Sequence, residues 1–121
     1  MQSLVRPVEV SILERDRMLV VRVYAGITIR NAAAIHTAVL SAWQASGYLE
    51  AVILDLGHVQ HMDSTGVGLL LELANRAKKA GISLRLCCLQ ESPRRFLDRI
   101  GLSCLFEICT TIEKAMLVLP A

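Results

Sequence analysis

The residues best placed to do chemistry are Met62-Asp63-Ser64-Thr65-Gly66-Val67-Gly68. An acid, two hydroxyls and two glycines stand directly before an apolar-periodic run. The plainest reading of Asp63, Ser64 and Thr65 is helix capping, since short polar side chains accept hydrogen bonds from first-turn amides. The glycines point further. Each costs about 1 kcal/mol in a helix interior, so two in one first turn indicate a surface that something approaches closely. A hydroxyl at a helix start is also a good phosphoacceptor. The unpaired amides and the positive end of the dipole favour an anion there. Phosphorylation would add roughly −1.5 to −2 units of charge to the surface.

Other chemistries fit less well. Ser64 lacks the G-x-S-x-G setting of a nucleophile elbow. Gly66-Val67-Gly68 lacks the Gly-Lys of a P-loop, and Asp-Ser-Thr-Gly carries one residue too many for an aspartic-protease Asp-Thr-Gly. His58, His61 and Asp63 could be drawn as metal ligands, but no fourth ligand is near in sequence. Of the four cysteines, Cys87 and Cys88 are adjacent inside an apolar run, and strand neighbours point to opposite faces. With no C-x-x-C spacing, Cys87, Cys88, Cys104 and Cys109 read as buried, reduced small hydrophobes. No metal, no cofactor and no enzymatic activity are expected.

The elements that position Ser64 are legible from periodicity. Val8–Leu13 alternates and Met18–Tyr24 is β-branched, which gives two hairpin strands around Arg15-Asp16-Arg17. A helix runs from an Asn31 cap to about Ser46, stopped by Gly47. Ala51–Leu54 is a doubly buried strand ended by Asp55. The clearest helix is Ser64–Ala80, with Val67, Leu70, Leu71, Ala74 and Ala77 inward and Gly81 closing it. Ile82–Leu89 is a strand. Ser92 caps a helix with Pro93 in its first turn, ended near Ile100 by Gly101. A short strand lies within Leu102–Ile108. A last helix, capped by Thr110 or Thr111, runs through Leu119 with Pro120 beyond. The order is ββαβαβαβα over one domain, residues 1–121: an α/β chain with a mixed, mostly parallel sheet packed against about four helices. Functional loops of such sheets lie at the carboxyl ends of parallel strands, which is where Gly57–Asp63 enters the Ser64 helix.

Composition narrows the partners. Of 121 residues, 54% are hydrophobic and 20% charged, which excludes a disordered chain. The net charge of +2, with basic pairs only at Lys78-Lys79 and Arg94-Arg95, does not suit a nucleic-acid binder. Met1–Pro7 has no apolar signal region. The uncharged stretch Asn31–Leu49 is interrupted by Asn31, His36, Thr37, Ser41, Gln44 and Ser46, so it reads as a packed helix rather than a membrane span. A cytoplasmic protein without direct membrane insertion is expected.

Asp55-Leu56, the Met62–Gly68 segment, Gly81 before a strand, Arg95-Phe96-Leu97 and Ile100-Gly101-Leu102 together resemble the STAS domain of bacterial anti-sigma factor antagonists. The resemblance spans nearly the whole chain and implies that fold. It also implies a switch in transcription regulation: the unphosphorylated form binds an anti-sigma factor that is itself a serine kinase, freeing a sigma factor. Phosphorylation of the serine after the aspartate, Ser64 here, abolishes binding, and a phosphoserine phosphatase resets it. The resemblance leaves room for a homodimer. Thr28-Ile29-Arg30-Asn31-Ala32 is closer to STAS proteins found beside phospholipid-transport or chemotaxis machinery. The alternative is therefore a constitutive scaffold module of such a complex, or of a stressosome-like one. The partner surface is expected around Asp63, Thr65, Gly66 and Gly68, with Leu69, Leu73 and Arg76 on the outer flank of the helix; Leu69 and Leu73 fit equally well under a neighbouring helix, since a core-facing stripe can be wide.

Overall fold

The computed structural model describes residues 9–117. β1 (Val10–Arg15) and β2 (Met18–Val23) pair antiparallel. Asp16 and Arg17 both take positive φ between them, as a two-residue primed hairpin turn requires. After α1 (Ala32–Ala45) come β3 (Ala51–Asp55), α2 (Ser64–Ala80), β4 (Ser83–Cys87), α3 (Glu91–Arg99), a 3₁₀ turn (Ser103–Leu105), β5 (Glu107–Cys109) and α4 (Ile112–Leu117). The five strands lie in the order β1-β2-β3-β4-β5, with every pair after the hairpin parallel. Each parallel pair is joined by a helical crossover. All five residues of β3 are buried, as its unbroken apolar run indicates. α1, α2 and α3 pack on one face of the sheet in the main core. α4 covers the other, where Ile53, Cys87 and Ala115 form a smaller core. Buried Arg85 donates to the Ala115 carbonyl at 2.7 Å and lies 3.6 Å from Glu107, tying α4 to the sheet.

α2 begins at Ser64, and Gly81 ends it with φ 70. The sheet-facing stripe is rotated from the expected one by roughly 60° of helix arc. Gly66, Val67, Leu69, Leu70, Leu73 and Ala77 are buried, while Leu71 and Ala74 are half-buried. Leu69 and Leu73 are thus core residues, not an outer flank. α1 packs beside α2 and covers the side on which they stand, so sheet and helix together bury a wider arc than one stripe.

Four local expectations are corrected. Asn31 stands at the N-cap position of α1 but makes no side-chain cap. Its carboxamide accepts from the Thr28 amide and donates to the Gly26 carbonyl and Glu9, so it organises the preceding loop. α3 starts at Glu91 after Gln90, because that chain is already helical before Ser92 can cap it. Cys104 is exposed on the 3₁₀ turn; Cys87 is buried, Cys88 and Cys109 half-buried, and all four are unpaired. Cys87 and Cys88 do not point apart: Cys88 leaves the strand with φ 64, and both pack in the α4 core. Thr111 caps α4 by accepting from the Lys114 amide. Leu119 and Pro120 lie outside the described residues.

Candidate functional site

The head of α2 is fixed by a seam between two loops. Ile27 and Met62 form an isolated parallel bridge. The Ile27 amide donates to the His61 carbonyl, and the Asp63 amide donates to the Ile27 carbonyl, both at 3.2 Å. Asp63 then makes two further ties. One carboxylate oxygen accepts from the Gly66 amide at 2.9 Å, closing the N-cap. The other accepts from the Ile29 amide at 3.0 Å, across the seam. Asp63 is therefore both a cap and a clamp on the loop after β2.

The seam explains one glycine and not the other. A Cβ on Gly66 would lie 2.4 Å from the Ile27 carbonyl oxygen and 2.6 Å from Met62 Cγ. Gly66 is thus demanded by the fold itself. A Cβ on Gly68 would meet nothing within 4 Å. Nothing among the described residues requires glycine there, and Gly68 leaves a bare spot on the outer surface of α2.

Ser64 and Thr65 are both exposed, at the first two positions of α2. Beside them a shallow groove of about 400 Å³ runs between α1 and α2. Ala32, Ala33, Thr65, Gly68 and the rim of Leu69 line it, and His36 and Glu72 meet across it at 2.6 Å. Glu72 also holds Arg76 at 3.1 Å, which places Arg76 farther along the exposed face. Ile29, clamped to Asp63, is 75% exposed. The apolar surface next to Ser64 is therefore Ile29, Ala33 and the groove rather than Leu69 and Leu73. Ile29 sits between polar residues in a loop, and His36 and Glu72 are 36 residues apart on separate helices, so periodicity along one helix could not reveal them.

The two histidines of the loop do not join Asp63 in a ligand set. The His58 ring lies 5.3 Å from that of Tyr24, and the His61 ring stands over Gly26. Asp55, at the end of β3, pairs with Arg22 at 2.7 Å and accepts from the Gly57 amide at 3.0 Å. The Gln90 carboxamide donates to the Gly57 carbonyl, so the loop leading toward α2 is pinned at its start.

The amides of Gly66 and then Ile29 hold the Asp63 carboxyl below its ordinary value of 3.8. A depressed folded pKa contributes stability that is present above the unfolded value and lost as pH falls through the folded one. The stability difference between wild type and Asp63→Ala should therefore be fully developed at neutral pH and narrow below about pH 4. Urea titrations across that range check this; a difference constant down to pH 2 would contradict the clamp.

A five-stranded sheet led by an antiparallel hairpin and completed by parallel strands, with four helices, is the STAS fold, shared with anti-sigma factor antagonists. The STAS domain model matches residues 9–115, and the chain belongs to that family. Among solved structures, the protein TM1081 of Thermotoga maritima is 22% identical, with TM-score 0.81 over 88% of this chain and 91% of its own. SpoIIAA, the Bacillus cell-fate determinant, is 20% identical in its unphosphorylated form, with TM-score 0.74 over 88% of this chain and 92% of that one. The murine anion transporter Slc26a9 is 18% identical, with TM-score 0.76 over 87% of this chain but 18% of its own length. At these identities the likeness is one of fold. No helix among the described residues is long and apolar enough to cross a membrane.

Proposed function

We propose that the chain is an anti-sigma factor antagonist switched by phosphorylation of Ser64. The observation that carries this is the exposed Ser64 hydroxyl at the first position of a rigidly clamped helix, beside an apolar groove. In the unphosphorylated form, Ile29, Ala33, Thr65 and Gly68 present an apolar patch to an anti-sigma factor with serine kinase activity. A phosphate on Ser64 would set a second anion beside the Asp63 carboxylate, whose two oxygens are already engaged. The domain need not refold: local charge and bulk suffice to exclude the partner. A phosphoserine phosphatase restores the binding form. The existence of SpoIIAA in unphosphorylated and phosphorylated forms supports this reading by analogy of fold. Regulation by binding leaves the chain no catalytic task of its own, and it fits a cytoplasmic single domain.

A second reading, a constitutive STAS module of a larger assembly, is favoured by the likeness to a segment of Slc26a9. Incubation with the cognate kinase and ATP separates the two. The switch reading expects one phosphate, mapped to Ser64 and absent from Ser64→Ala, with Ser64→Ala still binding the kinase. Ser64→Glu should bind several-fold more weakly, since a carboxylate reproduces only part of the phosphate charge. Tight binding indifferent to every Ser64 substitution would favour the scaffold.

A further inference from the structure

Three donor groups that the Ser64 switch does not use converge at the carboxyl ends of β3 and β4. The Asp55 carboxylate and the sulfurs of Cys87 and Cys88 all lie within 4.8 Å of one another. The parallel register sets Asp55 beside Cys87. Cys88 reaches the same point only because its backbone turns to φ 64, a conformation that L side chains other than Asn and Asp seldom adopt. The turn is held by the Cys88 amide, which donates to the Cys109 carbonyl at 3.3 Å. A thiol that merely fills core space needs neither this backbone nor a carboxylate beside it.

The carboxylate is already oriented as a ligand would be. One oxygen accepts from Arg22 Nε at 2.7 Å and the other from the Gly57 amide at 3.0 Å, and each keeps a lone pair. Tetrahedral zinc with two sulfurs and one carboxylate oxygen needs donor separations of about 3.4–3.8 Å, within reach of this cluster. Asp55 and Cys87 are buried, while half-buried Cys88 gives an approach from solvent.

We propose that Asp55, Cys87 and Cys88 form a binding site for a thiophilic divalent cation of the zinc class, with the fourth position left to water. Two soft sulfur donors select Zn²⁺ or Cd²⁺ over Mg²⁺ and Ca²⁺. The charge balances: two thiol protons leave as one dication enters, so the cluster keeps its net charge and the Asp55–Arg22 pair stays intact. The site lies on the α4 side of the sheet and does not depend on phosphorylation of Ser64.

The test titrates the reduced, metal-free chain with Zn²⁺ against a chromogenic chelator, and with Cd²⁺ while following the thiolate charge-transfer absorption. One ion per chain is expected, with equal affinity in Cys104→Ser, whose thiol is exposed on the 3₁₀ turn. Cys88→Gly suits the left-handed backbone and should keep the wild-type circular dichroism spectrum, yet lose affinity by on the order of tenfold or more. The double variant His58→Ala/His61→Ala should bind as wild type does. The proposal is overturned if less than stoichiometric ion binds, if Cys88→Gly binds as tightly as wild type, or if binding disappears with the two histidines.

Discussion

Gly66→Ala should destabilise the chain by about 3 kcal/mol or more, whereas Gly68→Ala, two residues on in the same helix, should stabilise it by up to about 1 kcal/mol. At position 66 the new methyl meets the Ile27 carbonyl oxygen at 2.4 Å, and that oxygen is backbone pinned by the Asp63 amide. To make room, the seam must open. The Ile27–Met62 bridge and the Asp63–Ile29 clamp then weaken together, so the loss exceeds that of one overpacked contact. At position 68 the methyl points into open space, and alanine only removes the entropic cost of glycine in a helix. The two substitutions should also differ in binding. Gly68→Ala fills the bare spot beside the groove, so the more stable variant should be the poorer partner of the kinase. Urea denaturation followed by a binding titration on each variant checks both halves. Equal stability in the two variants would mean that the seam yields easily and does not set the head of α2.

Leu73→Ala should cost about 2–5 kcal/mol, the range for deleting a buried leucine that leaves a cavity and a large fraction of a domain's whole margin, with partner affinity per folded molecule unchanged. Leu73 is 1% exposed and packs where α1, α2 and the sheet meet. Thermal denaturation beside a binding titration at a temperature where the variant is still folded separates a packing role from a contact role. An unchanged melting temperature with weakened binding would return Leu73 to the surface.

Leu73 also shows where a sequence stops being legible. The 3.6-residue period of α2 announces a helix from Ser64 to Ala80, and the observed bounds agree. The period cannot say how many neighbours a helix has. With sheet below and α1 alongside, the buried arc widens and turns, and the two leucines that the period left open between solvent and core go inside. The same limit hid the groove, because His36 and Glu72 meet only through the packing of two helices. Capping at Asp63 was readable from residue type, but its second bond to Ile29 was not, since that partner is 34 residues away. The two glycines looked alike in sequence. One answers to the Ile27 carbonyl and the other to nothing among the described residues. Alternation along a strand misled at Cys87 and Cys88, because the strand ends between them and φ 64 turns the second thiol back.

The claim that Ser64 is a switch is tested most directly by the affinity of the cognate kinase for two forms of one protein. The chain carrying phosphoserine at position 64 and the unmodified chain are each titrated by calorimetry under identical salt. Phosphorylation should lower the affinity by on the order of 100-fold, as a charge forced into an apolar contact should produce. Equal affinity of the two forms would contradict it.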